Sequence, residues 1–292
     1  MKKEYIFLVL SALFFGSINP IGKILLNEIT PLQFALIRSS FGCLLILFGL
    51  ILSREYKIFR KMKKNDFFIC IILGIVAFFL FQVFMGLALS RIAASVNSLL
   101  LNSTIPISVL FLTFLVSHKK ITKYSVLGVI FGMAGMALAV LKPEDLSLIN
   151  VSGIIFAILA GIFWGVNTFG ITGVRKKFGT FPILTLSLLS GVIVSFLFIL
   201  LIDGCDEFVN ASINMKLLFV FAGFFSTGLP LIFYYYSLKK LGAAKVSVCY
   251  YLAPVFAIIL SAIILQEPIT YLLILGTFFI LVGIGLIQKE RF

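Results

Sequence analysis

The chain has 292 residues, of which 61% are hydrophobic and only 12% are charged. A soluble domain is nearer half apolar and a quarter charged, so this composition excludes an ordinary water-soluble fold. The formal net charge of +13 could suggest a nucleic-acid partner. The basic residues lie in short segments between apolar runs, however, so we expect the lipid bilayer as partner and no nucleic acid.

Apolar runs of about 20 residues, the length that crosses roughly 30 Å of hydrocarbon, follow one another along the chain. They predict an all-α integral membrane protein with ten transmembrane helices. In chain order the predicted spans are 5–25, 32–52, 67–89, 93–116, 124–141, 151–172, 181–202, 214–238, 243–265 and 271–288. The first run follows Lys2 and Lys3 as a signal peptide would, but it has no small-residue cleavage site, so we expect a retained helix.

The distribution of Lys and Arg predicts that both termini are cytoplasmic. The stretches assigned to the outer face, which include the adjoining helix ends, contain four of the 24 basic residues, and Arg38 lies inside the second span. The four are Lys23, Arg91, Lys142 and Lys216. All the others fall in cytoplasmic segments, as membrane topology requires. We therefore expect a multi-pass protein of the cell (plasma) membrane, N-in and C-in.

The two halves of the sequence resemble each other, which predicts a first repeat at 1–142 and a second at 150–292. Several residues recur 148 positions later, and Phe15-Gly16 is echoed by Trp164-Gly165. The recurring pairs are Pro106 and Pro254, Gly128 and Gly276, and Gly135 and Gly283. Because each repeat has five spans, an odd number, the second must be inverted. Inverted repeats place a site at their interface and alternate access to it, so the pattern predicts a transporter.

Short motifs in both halves resemble the EamA family of the drug/metabolite transporter superfamily. The second half carries Tyr251-Leu252-Ala253-Pro254-Val255-Phe256-Ala257 and Leu265-Gln266-Glu267-Pro268-Ile269-Thr270, and the first carries Phe15-Gly16-Ser17 and Pro31…Arg38. Phe15 stands where the family usually has Trp, Gln266 where it has Gly, and Lys119 where the first copy would have an acid. The resemblance implies a basket of ten helices around a central cavity, with spans 5 and 10 peripheral. It also implies cargoes such as amino acids, other metabolites, or cationic and amphiphilic compounds, often exported.

Arg38 is the ionised side chain that lies well inside a span, about seven residues or roughly 10 Å from the outer end. A charge at this depth costs a few kcal/mol and marks a functional position. Arg38 could bind a carboxylate bidentately, which suits an amino acid cargo. Alternatively, it extends to the outer headgroups or holds backbone carbonyls in a structural role.

Polar and aromatic side chains inside other spans complete the candidate substrate-binding set, since such groups face the protein interior or a wet cavity. The set is Asn19, Arg38, Gln82, Asn102, Trp164, Asn167, Ser247 and Tyr251. The alternative for any single polar residue is a hydrogen bond between helices, worth about 0.6 kcal/mol. Prolines within spans remove a helical hydrogen bond, and we expect kinks or hinges at Pro20, Pro106, Pro230 and Pro254.

Several other functions are disfavoured by what the sequence lacks. No acidic residue lies deep in a span, so we expect facilitated transport or exchange rather than obligatory proton coupling. His118 and the four cysteines show no ligand spacing, so we expect no metal and no cofactor. A membrane enzyme is disfavoured because the one acidic cluster, Asp203, Asp206 and Glu207, looks like a solvated outer loop. A channel-like or interaction protein stays an alternative, and we expect a monomer or loose homo-oligomer.

Overall fold

A computed structural model describes residues 2–117, 122–140, 150–203, 210–241 and 252–289. Within these ranges the chain is helical and contains no strand. In chain order the α-helices are α1 (Lys2–Leu25), α2 (Pro31–Ser53), α3 (Lys64–Ile75), α4 (Phe81–Leu89), α5 (Ala94–Ser117), α6 (Lys123–Val140), α7 (Val151–Phe178), α8 (Thr180–Phe198), α9 (Ile213–Gly223), α10 (Leu229–Leu241), α11 (Leu252–Leu265) and α12 (Tyr271–Lys289). A 3₁₀-helix, Glu55–Lys61, follows α2.

The ends of α2 show how local sequence sets the helix boundaries. Thr30 caps its N-terminus in a capping box with Gln33, whose backbone N–H donates to Thr30 Oγ1 at 3.2 Å. Pro31 occupies the first helical position, where its missing N–H costs nothing. The helix ends at Arg54, which has a left-handed φ of 55°.

Three π-helical turns interrupt or end these helices. Val76–Leu80 joins α3 to α4, Phe224–Gly228 joins α9 to α10, and Ile199–Asp203 follows α8. A π-turn holds an extra residue within one turn and is frequently found at functional sites. The first two lie within continuous apolar rods, Lys64–Leu89 and Ile213–Tyr234.

Seven helices within the described ranges are long and apolar enough to cross a bilayer. They are Lys3–Leu25, Pro31–Ser53, Lys64–Leu89, Ala94–Val116, Val151–Ile171, Thr180–Ile202 and Ile213–Tyr234. Shorter apolar helices occupy the places of the fifth, ninth and tenth predicted spans: Lys123–Ala139, Leu252–Leu265 and Tyr271–Leu286. The structure therefore shows a multi-pass helical membrane protein, whereas the count of ten, the inversion and the orientation stay predictions.

The distribution of polar and apolar side chains is that of a protein surrounded by lipid. Asn97 and Gln82 are buried, with 0% and 1% of their surface exposed, whereas Phe48 and Leu201 are 59% and 81% exposed. In hydrocarbon, polar groups need partners within the protein and apolar side chains can face outward. The described surface follows this rule.

Helices from the two halves of the chain pack in matched pairs. α1 packs extensively on α11 and α10, and α7 packs on α5 and α4. α2 packs on α8, and α6 packs on α12. In the sequence repeat, α1 corresponds to α7, α5 to α11 and α4 to α10. The α1–α11 contact is then the counterpart of the α7–α5 contact, and α1–α10 is the counterpart of α7–α4.

The α6–α12 pair lies beside α5 and is held by close backbone contact. A Cβ placed on Gly276 would lie 2.7 Å from the Gly135 carbonyl oxygen, and one on Gly283 would lie 2.6 Å from that of Gly128. Small residues let two membrane helices approach to this distance. The GxxxG spacing in α6 and two glycines of α12, Gly276 and Gly283, thus serve packing.

Candidate cargo-binding cavity

A cavity lies between the helices of the two halves, and α1, α2, α4, α5, α7, α10 and α11 contribute to its wall. Its lining residues are Phe15, Gly16, Ile18, Asn19, Arg38, Phe78, Phe81, Gln82, Met85, Ser98, Leu101, Asn102, Ile105, Trp164, Thr227, Leu231 and Ala253. The cavity volume is about 70 Å³. A single water needs a cavity of at least about 10–15 Å³, so this one has room for several waters or a compact solute.

Arg38 enters this cavity from α2 with 4% of its surface exposed. Its Nε donates to Thr227 Oγ1 at 3.2 Å, and its Nη1 donates to the Gln82 Oε1 oxygen and to Met85 Sδ, the latter at 3.4 Å. The guanidinium carbon also lies 5.3 Å from the centre of the Phe34 ring. These contacts fix the plane of the guanidinium from both halves of the chain.

The charge of Arg38 has no ionic partner in the part of the chain that the structure describes. No carboxylate among the described residues forms an ion pair with it, and its Nη2 makes no hydrogen bond within the described ranges. An ionised side chain at the centre of a membrane helix costs roughly 2.5–3.5 kcal/mol even on insertion scales. Nη2 therefore presents two N–H donors in a cavity wall to which an anion could bind.

Amide side chains provide acceptors in the same wall. Asn102 Nδ2 donates to the Ser98 carbonyl at 2.8 Å and to Ser98 Oγ at 3.3 Å. No described residue donates to Asn102 Oδ1, which is therefore left as an acceptor. Asn19 Oδ1 accepts from Asn97 Nδ2 at 2.8 Å, which joins α1 to α5. The wall thus contains both an open donor and an open acceptor.

Aromatic rings cover a second part of the wall. The indole of Trp164 lies 4.8 Å from the Phe81 ring and 6.0 Å edge-on from the Phe78 ring, measured between centroids. Phe15 belongs to the same apolar cluster. Phe15 and Trp164, the residues related by the sequence repeat, therefore both reach the cavity. Such a surface can bury an apolar or aromatic group of a cargo.

The sequence-predicted site residues are only partly brought together. Five of them line the cavity: Asn19, Arg38, Gln82, Asn102 and Trp164. Asn167 is buried but lies outside this wall, and its Oδ1 has no hydrogen-bond partner within the described ranges. Ser247 and Tyr251 lie outside the described residues, as do His118, Asp206 and Glu207.

The predicted hinge prolines lie within or beside helices that form the cavity. Pro20 and Pro106 are inside α1 and α5, and Pro230 and Pro254 are the second and third residues of α10 and α11. A proline lacks the N–H that would bond the carbonyl four residues earlier. For Pro20 and Pro106 those carbonyls belong to cavity residues, Gly16 and Asn102. Their action as hinges stays a prediction.

Four cavity residues that contact Arg38 or Trp164 were not predicted from the sequence. They are Phe78, Phe81, Met85 and Thr227. Thr227 carried a usable signal, since Ser226-Thr227-Gly228 interrupts an otherwise apolar run. The other three are apolar residues in an apolar span, where only the three-dimensional packing distinguishes a cavity wall from a lipid-facing surface.

Two polar contacts connect helix ends beyond the cavity. Lys23 Nζ donates to the carbonyl oxygens of Leu89 and Ile92, both at 2.6 Å. Glu267 accepts from the backbone N–H groups of Ala94 and Ser95, at 2.7 and 3.0 Å, and from Ser95 Oγ at 2.6 Å. A carboxylate here both caps α5 and complements the positive end of its dipole.

Apolar helices that enclose a cavity with both polar and aromatic lining residues define a multi-pass membrane protein with an internal cavity. The profile of the EamA-like transporter family matches residues 2–141 and 151–288. The chain belongs to this family.

Relatives and a solved structure are similar over nearly the whole chain. An uncharacterized transporter of Clostridium kluyveri is 25% identical, covering 97% of this chain and 92% of its own. An uncharacterized transporter of Archaeoglobus fulgidus is also 25% identical, covering 99% and 100%. A crystal structure that is 15% identical superposes with a TM-score of 0.68 over 97% of this chain and 96% of that one, which shows the shared fold.

Proposed function

We propose that this protein is a secondary transporter of the plasma membrane that exports amino acids or related small metabolites by alternating access. It has ten spans in two inverted five-helix repeats, and both its termini are cytoplasmic. The family and the named relatives support membrane transport rather than an enzyme reaction.

The matched helix pairs support the inverted-repeat mechanism. The cavity is lined by α1 and α5 from the first half and by α7 and α11 from the second, with Asn19 and Trp164 lying well inside α1 and α7. Rocking one set of helices against the other would then open the cavity to each side in turn. The α6–α12 pair, packed through glycine backbone, lies outside this interface.

The cargo assignment is supported by Arg38 Nη2, whose N–H groups donate to no described residue. A carboxylate bound at Nη2 would neutralise a buried charge that no described residue balances. The Asn102 Oδ1 acceptor suits the ammonium of an amino acid, and the rings of Phe81 and Trp164 suit its apolar side chain. A zwitterion with an apolar group therefore matches each part of the wall.

The aromatic surface also favours a second cargo class, amphiphilic compounds. Among these, acids fit the cavity better than the cationic compounds that the family resemblance also allows. A cation would meet Arg38, and no described residue lining the cavity is acidic. The same lack of a lining carboxylate supports facilitated transport or exchange without an obligatory proton.

Counterflow in proteoliposomes tests the proposal. Purified full-length protein is reconstituted and preloaded with single unlabelled L-amino acids, and uptake of the same labelled amino acid is followed. We expect saturable uptake for at least one apolar amino acid, unchanged by an imposed pH gradient. Non-saturable uptake would indicate a channel, and uptake driven by a proton gradient would overturn the coupling proposal. No counterflow with any amino acid or amphiphilic acid would overturn the cargo assignment.

A further inference from the structure

Two of the π-turns occupy equivalent places in the two halves of the chain. Phe224–Gly228 begins and ends 148 residues after Val76–Leu80, the same offset that relates Pro106 to Pro254. Each π-turn contributes a residue to the cavity wall, Phe78 from the first and Thr227 from the second. The remaining π-turn, at the end of α8, contributes none.

Consecutive residues of α2 contact these two π-turns. Ser39 Oγ donates to the Phe78 carbonyl oxygen at 3.0 Å, and Arg38 Nε donates to Thr227 Oγ1 at 3.2 Å. Arg38 is thus hydrogen-bonded to the second π-turn, and its neighbour Ser39 is hydrogen-bonded to the first.

The π-turn also fixes the orientation of the Thr227 hydroxyl. Thr227 Oγ1 donates its one proton to the carbonyl oxygen of Ala222, five residues earlier, at 2.9 Å. In a regular helix a threonine bonds the carbonyl three or four residues earlier. With its proton committed to Ala222, the hydroxyl offers lone pairs, which match the N–H of Arg38 Nε.

We propose that Thr227 is a positioning residue for Arg38. By accepting from Nε it keeps the guanidinium in the plane in which Nη1 meets Gln82 and Nη2 faces the cavity. The affinity of the cavity for anions would then depend on a side chain contributed by the second half of the chain. This inference rests on the proposed function, in which Arg38 binds the anionic group of the cargo.

The single tryptophan of the chain provides a cargo-independent assay. Trp164 lines the cavity, so its fluorescence can be quenched by iodide, an anion, and by acrylamide, a neutral molecule. The positive charge of Arg38 raises the local iodide concentration. The ratio of the two quenching constants, measured on the full chain in nanodiscs, therefore reports how well Arg38 presents its charge to the cavity.

The proposal predicts a graded response. Thr227→Val, which keeps the shape and removes the acceptor, should lower the iodide-to-acrylamide ratio by about twofold, because the freed guanidinium turns from the cavity. Arg38→Gln should lower the ratio by about threefold, because the charge is gone. Thr227→Ser should retain the wild-type ratio, and Thr227→Val should add nothing in the Arg38→Gln background.

The outcomes separate the two proposals. A wild-type ratio in Thr227→Val, with a lowered ratio in Arg38→Gln, would overturn the positioning role and leave the anion site standing. A wild-type ratio in Arg38→Gln would overturn the anion site itself. If Thr227→Val does not fold, Thr227→Ala replaces it, and a loss in both Ala and Ser variants would assign Thr227 a purely structural role.

Discussion

The α6–α12 pair and the helices around the cavity are held together in different ways. The pair is joined by glycines that let one backbone touch the other, as at Gly276 and Gly135. The cavity helices are joined by polar side chains, among them Arg38, Gln82 and Thr227. In the part of the chain that the structure describes, the backbone contacts between the glycines leave no polar group without a partner, whereas the Arg38 network leaves the two N–H groups of Nη2 without an acceptor. We expect the glycine contacts to contribute to stability and the Arg38 network to provide a group that can bind a ligand.

The first test of this difference is removal of the open donor edge. Arg38→Gln should reduce saturable counterflow of the amino acid cargo by about 10- to 100-fold, since a charge-assisted hydrogen bond is worth about 1.5–3 kcal/mol. The unfolding midpoint should not fall, because the variant also removes a buried charge without an ionic partner. Transport and thermal unfolding of the same preparation measure both effects.

Arg38→Lys sharpens this test. Lysine keeps the positive charge but not the planar fork of donors, so we expect transport between that of wild type and Arg38→Gln. Full transport by Arg38→Gln would show that Arg38 does not bind the cargo. A loss of transport matched by a loss of folded protein would show that Arg38 is structural. Either result would remove the contrast with the glycine pair.

The glycine pair should show the opposite pattern, lost stability with an unchanged cavity. In Gly276→Ala the added Cβ would lie 2.7 Å from the Gly135 carbonyl oxygen and 3.0 Å from the Ala139 nitrogen. Overpacking of this kind costs about 1–3 kcal/mol, so the unfolding midpoint should fall. The iodide-to-acrylamide ratio of Trp164 in the folded fraction should stay at the wild-type value.

Gly285 in the same helix provides the matched control. A Cβ placed there has nothing within 4 Å. Gly285→Ala should therefore leave the midpoint unchanged or raise it slightly, since alanine favours helix over glycine. Equal destabilisation by both substitutions would contradict a role for close backbone contact at Gly276.

The same contrast explains which parts of the molecule the sequence predicts. Arg38 is identifiable because a charge is rare within an apolar span, and the glycines because their spacing is regular. Asn167 was predicted in the cavity wall and lies outside it, although Trp164, one turn away, lines the wall. A helix that is apolar all round has no polar face to indicate its rotation, so the sequence cannot tell which side meets the cavity.

The π-turns could not be predicted from the sequence for a related reason. A π-turn changes the register of a helix by one residue, and here its side chains and carbonyls bond to α2, far away in the chain. Val76–Leu80 is as apolar as the helix around it. Ser226-Thr227-Gly228 interrupts an apolar run, but such a triplet does not specify a π-turn.

Substitution of Glu267 has the smallest expected effect on stability. It tests a polar contact in which the carboxylate and each of its donors are hydrogen-bonded. Its carboxylate accepts from Ala94 N, Ser95 N and Ser95 Oγ, so it resembles the glycine pair in leaving nothing open. Glu267→Gln should cost about 1 kcal/mol through loss of the charged cap, seen as a lower unfolding midpoint. Glu28→Gln, at an exposed position in the connection after α1, should have no effect.

Counterflow by the folded Glu267→Gln protein should be retained, because the substitution removes no group that is free to bind a ligand. A loss of transport at unchanged stability would instead indicate that Glu267 takes part in the transport cycle. A contact in which every polar group has a partner could then no longer be assumed to be structural.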